Sequence, residues 1–250
     1  MSENNAIMQG GSVTESCVLQ ISDLHKSYGS HPVLEGVSFS IPRGKIVGLL
    51  GPNGCGKSTI MKMISGLLPA DNGSILIDGH LPGLVSKSIV SYLPERTYLN
   101  DWMKVSEVLQ FFSDFYADFD LERAQQMLAD LHLSPNTRLK TMSKGTKEKV
   151  QLILVMSRRA QLYLLDEPIG GVDPAARDYI LNTIITNYDP SATVLISTHL
   201  IADVERVLDE YLFLSQGRIL QGGNVDAVRE ETGKSLDELF REVFKCLPNC

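Results

Sequence analysis

The hydrophobic positions of this chain follow two patterns, and each predicts a different kind of strand. Between Leu19 and Ile41 apolar and polar residues alternate, which predicts strands with one packed face and one wet face. A short strand over residues 74–78, between turn residues, belongs to the same antiparallel region. Continuous apolar runs instead predict buried strands of a parallel sheet. These runs cover residues 46–50, 162–165, 194–196 and 211–214.

The segments between the apolar runs carry helical periodicity. Apolar residues form one stripe over residues 60–68, and Asp173-Pro174 supplies the start of another helix. Three helical patterns then follow one another without a strand, over residues 105–116, 120–131 and 143–156. We therefore expect an α/β protein with a mostly parallel core sheet, an N-terminal antiparallel β region and an inserted α-helical subdomain over about residues 95–157.

The two ends of the chain differ from this main domain, which is expected to span residues 17–222. Residues 1–16 are small and polar without periodicity, which predicts a flexible N-terminus. Residues 223–250 are expected to form a C-terminal helical tail. Its apolar stripe leaves open whether the tail packs on the core or against a partner; the stripe consists of Leu236, Leu239, Phe240 and Val243.

Composition places the chain among soluble globular proteins. Hydrophobic residues make up 43% and charged residues 21% of its 250 residues, which argues against wholesale disorder and a multi-span membrane protein. A net charge of −7 produces a field that repels nucleic acid, so no nucleic-acid partner is expected. The basic stretch 138–159, with seven bases and one acid, surrounds Ser143 and is either a solvated face or a surface for a polyanion.

The sequence gives little indication of a membrane span, a signal peptide or a disulfide framework. No apolar run approaches the ~18 residues of a membrane span, and the first basic residue is Lys26, so neither a span nor a signal peptide is expected. The cysteines Cys17, Cys55, Cys246 and Cys250 are too few for a disulfide framework, and no histidine lies at metal-ligand spacing from them. We expect a cytosolic chain with reduced cysteines.

A phosphate-binding loop is the strongest chemical signal. The segment between the first apolar run and the first helical stripe fits the pattern G-x-x-x-x-G-K-[ST]. Its glycines let backbone N–H groups converge on phosphate oxygens at a helix N-terminus. Lys57 is expected to reach the β- and γ-phosphates, and Ser58 to hold Mg²⁺. The loop consists of Gly51, Pro52, Asn53, Gly54, Cys55, Gly56, Lys57, Ser58 and Thr59.

Two acids follow the apolar run at residues 162–165, where an unpaired carboxylate beside a core would be costly. Asp166 is placed to hold the Mg²⁺ shell. Glu167 points elsewhere along the strand and can polarise the attacking water. Together with the phosphate loop, this pair predicts a nucleotide hydrolase.

Five further segments indicate which class of nucleotide hydrolase this chain resembles. They are Lys26-Ser27-Tyr28-Gly29, Tyr92-Leu93-Pro94-Glu95, Met142-Ser143-Lys144-Gly145-Thr146, Gly171-Val172-Asp173 and Ser197-Thr198-His199. With them, in this order, the chain resembles the nucleotide-binding subunit of ATP-binding-cassette (ABC) transporters over residues ~18–222. The resemblance implies a P-loop NTPase fold.

The resemblance also implies roles for single residues. Tyr28 would stack on the adenine, and Ser143 and Gly145 would bind the γ-phosphate held by a second subunit. His199 would act with Glu167 near the γ-phosphate, and Asp173 would contact the second subunit. Ser143 and Asp173 can equally serve as helix N-caps.

Three positions depart from the family pattern. Lys144 and Thr146 replace Gly and Gln of the signature Leu-Ser-Gly-Gly-Gln, so the signature is a divergent copy. Glu95 stands where the family has a glutamine, and it is still expected to bind the metal ion. These departures resemble a branch of bacterial exporters of the ABC-2 type.

The resemblance implies a motor that uses ATP and Mg²⁺ and powers export through a separate transmembrane permease. One chain would hold half of each site, so the partner is a second ABC ATPase subunit, either the same chain or a close paralogue. The chain would act on the cytoplasmic side of the membrane. The alternatives are a soluble ABC-type ATPase without a transporter and a nucleotide-binding regulatory module with weak hydrolysis. The sequence does not indicate the transported substrate.

Overall fold

A computed structural model of the chain describes residues 17–245, apart from the side chains of residues 175 and 176. The expectations for residues 1–16, Cys246 and Cys250 lie outside the described part. The strands are β1 Cys17–Tyr28, β2 His31–Pro42, β3 Ile46–Leu50, β4 Asn72–Ile77, β5 Val90–Leu93, β6 Leu162–Asp166, β7 Thr193–Thr198, β8 Glu210–Ser215 and β9 Arg218–Asn224.

Helices fill most of the connections between strands. They are α1 Lys57–Ile64, α2 Leu84–Ile89, α3 Val105–Phe115, α4 Leu121–Asp130, α5 Lys144–Met156, α6 Pro174–Asn187, α7 Ile201–Val204, α8 Val225–Thr232 and α9 Leu236–Lys245. Polar caps begin several of them: Asp120 accepts the Arg123 N–H at 3.0 Å at the start of α4, and Asn224 accepts two N–H groups at the start of α8.

The strands form two sheets. A three-stranded antiparallel sheet has the order β2-β1-β4, and a six-stranded sheet has the order β5-β6-β7-β3-β8-β9. In the second sheet the five strands β5, β6, β7, β3 and β8 run parallel, and β9 pairs with β8 antiparallel. Every residue of β3, β6 and β7 is buried, as continuous apolar runs predict. The mixed α/β class, the mostly parallel core sheet and the antiparallel region are confirmed.

Two hydrophobic cores hold the layers together. One core lies between the two sheets and encloses the apolar face of α1, namely Ile60, Met61, Met63 and Ile64. The other lies on the opposite face of the large sheet, beneath α3 to α6, α8 and α9. Because α1 is enclosed between two sheets, the loop that precedes it has a fixed position.

The three helices α3, α4 and α5 lie within the stretch predicted as a helical insert, whose bounds stay a prediction. The second half of α5 nevertheless packs against the sheet, since the Ser91 hydroxyl donates to the Val155 carbonyl at 2.9 Å. The buried Arg158 guanidinium joins the insert to β5. It pairs with Asp118 at 3.0 Å and donates to the carbonyls of Ser88 and Val90.

The C-terminal helices pack on the core rather than standing apart. Phe240 and Phe244 of α9 meet the ring of Phe213 on β8 edge to face, at 5.3 and 6.0 Å between ring centroids. Strand β9 continues to Asn224, whose side chain caps α8. The division of the chain at residue 222 stays a prediction. Among the described residues, no helix is both long and apolar enough to cross a bilayer.

Candidate functional site

The topology gathers the predicted site residues at one edge of the large sheet. Strands β5, β6, β7 and β3 are consecutive neighbours and run parallel, so their carboxyl ends meet at the same edge. This edge is where open α/β sheets bind ligands. The segments that follow these strands there contain Glu95, the acids Asp166 and Glu167, His199 and the phosphate loop.

The phosphate loop needs its glycines for space and for backbone conformation. A Cβ on Gly51 would lie 2.2 Å from the Leu214 carbonyl oxygen, and one on Gly56 would lie 2.7 Å from Leu34 Cδ2. Gly54 and Gly56 have φ values of 82° and 112°, which L side chains rarely adopt. The loop therefore curls tightly between β3 and α1 and is held against β2 and β8.

The other positions of the loop divide between solvent and core. Pro52 is half-buried and Asn53 is exposed, whereas the Cys55 thiol is buried, which raises its pKa. Ser58 and Thr59 lie half-buried in the first turn of α1. The Cys55 side chain therefore belongs to the core between the two sheets.

Lys57 places a buried positive charge at the centre of the loop. Only 5% of the residue is exposed, and Nζ donates to the carbonyls of Gly51 at 2.8 Å and Pro52 at 3.0 Å. The same Nζ lies 3.4 Å from Glu167 Oε1. The lysine thus links the loop to the acid that follows β6.

Asp166 is fixed by two hydroxyls. The Ser58 Oγ donates to its Oδ1 at 3.0 Å, and the Ser197 Oγ donates to the same atom at 2.5 Å. Burial raises the pKa of the Asp166 carboxyl; these two hydrogen bonds oppose the rise, and the charges of Glu95 and Glu167 add to it. A cation beside this group would favour its ionised form.

Glu167 points away from Asp166, as expected for adjacent residues, and has its own set of partners. The Thr198 hydroxyl donates to Oε2 at 3.0 Å, and His199 Nδ1 lies 3.1 Å from both carboxylate oxygens. Its backbone has a φ of 49°, a left-handed conformation that is uncommon for a non-glycine residue and recurs at functional sites. We call the linked group Lys57, Ser58, Asp166, Glu167 and His199 the strand-end cluster.

Residues 143–146, here called the signature turn, form the start of α5. Ser143 Oγ accepts the Thr146 N–H at 3.2 Å and lies 2.8 Å from the Thr146 hydroxyl, so Ser143 is the N-cap of this helix. Ser143 is exposed, and the Lys144 side chain is 80% exposed, with Nζ 3.7 Å from Glu148. The hydrogen bonds described for the Ser143 side chain thus lie within its own helix.

A cleft of about 750 Å³ lies above the strand-end cluster. Ser143 and Gly145 are not among its lining residues, whereas Lys144 and Lys147 of α5 are. Its other lining residues are Asn53, Glu95, Arg96, Thr97, Glu148, Glu167, Gly170, Gly171 and His199. One chain therefore brings Asn53 of the phosphate loop, Glu95, Glu167 and His199 to one cleft, and the signature serine is not part of its lining.

Two predicted residues lie at the margins of the site. Tyr28 ends β1 opposite His31 and is 49% exposed, on a hairpin whose second strand contacts Gly56 through Leu34. Asp173 is exposed and directly precedes α6, which begins at Pro174 as predicted.

Two partners of the acids are not predicted from the sequence: the Ser197 hydroxyl, which donates to Asp166, and the Thr198 hydroxyl, which donates to Glu167. Ser197 lies opposite Asp166 in the register of β6 and β7, and Thr198 follows it. The motif Ser197-Thr198-His199 contains these hydroxyls, but only the order of the strands in the sheet shows which acids they contact.

Fold and site together define a nucleoside triphosphatase of the P-loop class. The family model described as ABC transporter matches residues 34–170, which is more than half of the chain. The chain belongs to the ABC transporter family. It is an ATP-binding subunit that hydrolyses ATP, and the expected family, fold class and activity are confirmed.

Characterised relatives and solved structures agree with this assignment. The SkfA peptide export ATP-binding protein SkfE of Bacillus subtilis is 33% identical, covering 92% of this chain and 97% of the relative. The linearmycin resistance ATP-binding protein LnrL of the same organism is 32% identical over 92% of this chain and 79% of the relative. A solved ATP-binding subunit of an ABC transporter is 33% identical, with a TM-score of 0.81, covering 91% of this chain and 99% of that one.

Proposed function

We propose that this chain is the motor subunit of an exporter, working as one of two ATPase subunits attached to a separate membrane permease. The observation that carries the proposal is the strand-end cluster, in which Glu167 is joined to the buried Lys57 and to His199. Beside it, the Asp166 carboxylate accepts the Ser58 hydroxyl of the phosphate loop. Export is supported by relatives whose names describe export, including the Nod factor export ATP-binding protein I of Ralstonia nicotianae, 30% identical over 95% of this chain.

In this proposal the phosphate loop holds the triphosphate and Tyr28 stacks on the adenine. The backbone N–H groups of residues 51–59 and the N-terminus of α1 bind the phosphate oxygens. Lys57, already inside the loop, meets the β- and γ-phosphates with its charge. The exposed ring of Tyr28 offers one face to a planar base.

The chemistry of the donor set around Asp166 fits Mg²⁺. A serine hydroxyl and a carboxylate lie 3.0 Å apart, and Glu95 is close enough to affect the pKa of Asp166. Mg²⁺ prefers oxygen ligands and is often held by one or two carboxylates plus substrate phosphates. We therefore assign Ser58, Asp166 and Glu95 to the metal, which would neutralise charge on the phosphate oxygens.

Glu167 and His199 are placed for the attack of water on the γ-phosphorus. Glu167 is oriented by Thr198 and His199 and can accept a proton from a water that it positions. His199 lines the cleft beside it and can bind the γ-phosphate with the part of its ring that does not face Glu167. Lys57, whose Nζ lies 3.4 Å from Glu167, stabilises the charge of the transferring group.

A second ATPase subunit completes the site in this proposal. Ser143 and Gly145 are outside the cleft of their own chain, yet they stand at the N-terminus of α5, which favours an anion. We propose that they bind the γ-phosphate held by the second subunit, and that Asp173, exposed beside Gly171 at the cleft, contacts that subunit too.

The permease is proposed to dock on the helical subdomain, on the cytoplasmic side of the membrane. Two phenylalanines of α3, Phe111 and Phe115, are 57% and 69% exposed and stack on each other at 6.2 Å between ring centroids. Trp102, just before α3, is 64% exposed. Large exposed apolar side chains that lie close together indicate an interaction surface.

The decisive experiment compares phosphate release by the wild type and Glu167→Gln. The amide cannot accept the proton, so we expect the rate to fall at least about a hundredfold, while ATP binding persists. Glu242→Gln, which makes the same chemical change at an exposed pair with Lys234, is the control and should hydrolyse ATP normally. Equal, background rates for wild type and Glu167→Gln would instead identify a regulatory module with little hydrolysis.

Attachment to a membrane is tested separately. We expect the chain to sediment with membranes only when a companion membrane-spanning protein is co-expressed, and expect Phe111→Ser with Phe115→Ser to weaken this association. Ile185→Ser, at an exposed position on α6, is the control. A chain that never sediments with any permease would be a soluble ABC-type ATPase.

A further inference from the structure

The hydroxyl of Tyr92 is buried and makes no hydrogen bond to any residue in the described range 17–245. Buried polar side-chain atoms nearly always have a partner, and an exception calls for an explanation. Two explanations are open. The Tyr92 ring serves only for packing and its buried oxygen is left unsatisfied, or the hydroxyl donates a hydrogen bond that forms only when the site holds its ligand.

The register of the sheet shows which acceptor is near. Tyr92 of β5 lies opposite Leu164 of β6 in a parallel pair. Because side chains alternate along a strand, Asp166, two residues after Leu164, points to the same face as Tyr92. The ring of Tyr92 packs against the core between the two sheets, as Leu164 does.

The charges around the hydroxyl agree with this placement. Burial raises the pKa of Tyr92, and the negative charge of Asp166, the approach of the phenol to that carboxylate and the charge of Glu95 raise it further. The hydroxyl is thus close to Asp166 although the two groups do not form a well-aligned hydrogen bond. A phenol is already protonated at neutral pH, so this group remains a hydrogen-bond donor. It faces the two carboxylates that we assign to the metal.

Asp166 has room for one more donor. The hydroxyls of Ser58 and Ser197 both donate to Oδ1. A carboxylate has about four lone-pair positions on its two oxygens, so a metal ion and a further donor can share the rest.

We propose that Tyr92 is a positioning residue whose hydroxyl donates to the Asp166 carboxylate when that carboxylate holds a divalent cation with the nucleotide. The inference rests on the proposed metal site. A metal-ligating carboxylate is usually hydrogen-bonded by a neighbour that fixes its orientation, and losing such a neighbour costs about ten- to a hundredfold in metal affinity. Tyr92 is also the penultimate residue of β5, the strand that leads to Glu95, so one side chain would align both acids.

The test uses Tyr92→Phe with Tyr163→Phe as the matched control. Tyr163, on the adjacent strand β6, is also a buried tyrosine, but its hydroxyl donates to the Arg158 carbonyl at 2.5 Å. Calorimetric titration with ATP alone and with Mn²⁺-ATP, and the thermal unfolding midpoint without metal, are measured for both variants and the wild type.

For Tyr92→Phe we expect Mn²⁺-ATP affinity to fall about tenfold or more, with the affinity for ATP alone and the unfolding midpoint unchanged. Without metal the Tyr92 hydroxyl has no well-aligned hydrogen bond, and Asp166 keeps its two serine donors, so its removal leaves no acceptor unsatisfied and the fold loses little. For Tyr163→Phe we expect the reverse: a lower midpoint, because the Arg158 carbonyl loses its donor, and a normal gain in affinity from Mn²⁺.

Two results would overturn the proposal: Tyr92→Phe binding Mn²⁺-ATP as tightly as the wild type, or losing affinity equally with and without metal. Either result would make the phenol a packing group. A wild type that gains no affinity from Mn²⁺ would refute the proposed metal site itself, so the two failures are distinguishable.

Discussion

The strand-end cluster and the signature turn are both candidate phosphate-binding regions, but they differ in how they are held. The cluster joins side chains from α1, β6 and the end of β7, so its geometry is fixed by the sheet before any ligand arrives. The signature turn is exposed, and within residues 17–245 the Ser143 hydroxyl is bonded to Thr146 of its own helix. This difference between a preorganised half and an open half within one chain is what the proposed completion of the site by a second subunit predicts.

Hydrogen bonds nevertheless connect the two halves through the fold. Helix α5 begins at the signature turn and ends packed against β5, and Arg158, just after it, is bonded to the carbonyls of Ser88 and Val90. A displacement of the strand that leads to Glu95 would therefore be transmitted to α5. Substitutions in the strand-end cluster and in the signature turn should therefore affect ATP binding and ATP hydrolysis differently.

The largest effect is expected for Lys57→Ala. This removes a buried cation and its charge-assisted hydrogen bonds to phosphate, which we expect to weaken ATP binding about a hundredfold. Lys62→Ala, at an exposed position of the same helix, is the control and should bind normally. Nucleotide titration by calorimetry measures both, and unchanged binding by Lys57→Ala would contradict the assigned role of the cluster.

An intermediate effect is expected for Ser143→Ala. ATP binding to the single chain should be unchanged, because Ser143 is outside the cleft, while hydrolysis should fall about tenfold as the hydroxyl contact to phosphate is lost. The variant also loses an N-cap worth about 1 kcal/mol. Asn224→Ala removes the cap of α8 in the same way and controls for stability. A rate loss shared by both variants would make Ser143 a structural cap alone.

The smallest effect is expected for Lys144→Gln, at the position where the family has glycine. The side chain is 80% exposed, so stability should change by less than about 1 kcal/mol. Because Lys144 lines the cleft with a positive charge, hydrolysis should fall about two- to fivefold, and the difference should shrink at high salt. Lys140→Gln, in the same basic stretch but outside the cleft lining, is the control. An equal response of both variants would remove any special role for Lys144.

The sequence predicted the site best where the signal is local. The phosphate loop and the pair Asp166-Glu167 are short motifs at strand ends, and their chemistry follows from residue type and spacing. The apolar runs likewise predicted β3 and β7, because both strands are covered on both faces.

Features that depend on long-range pairing could not be predicted. Ser197 meets Asp166 only because β6 and β7 are neighbours in a given register. Strand β5 is four residues long, too short for a clear pattern, and β9 is placed at the sheet edge by its pairing with β8. The tail pattern identified a helix, but only the packing of Phe240 on Phe213 shows what it covers.

The most direct test of the assembled site is to mix the Lys57→Ala and Ser143→Ala variants. If two copies form a symmetric pair, each site takes its phosphate loop from one copy and its signature turn from the other. A mixed pair then combines both defects in one site and leaves the other intact, so an equal mixture should regain about a quarter of the wild-type ATPase rate. A mixture no faster than the average of the two separate variants would contradict the account.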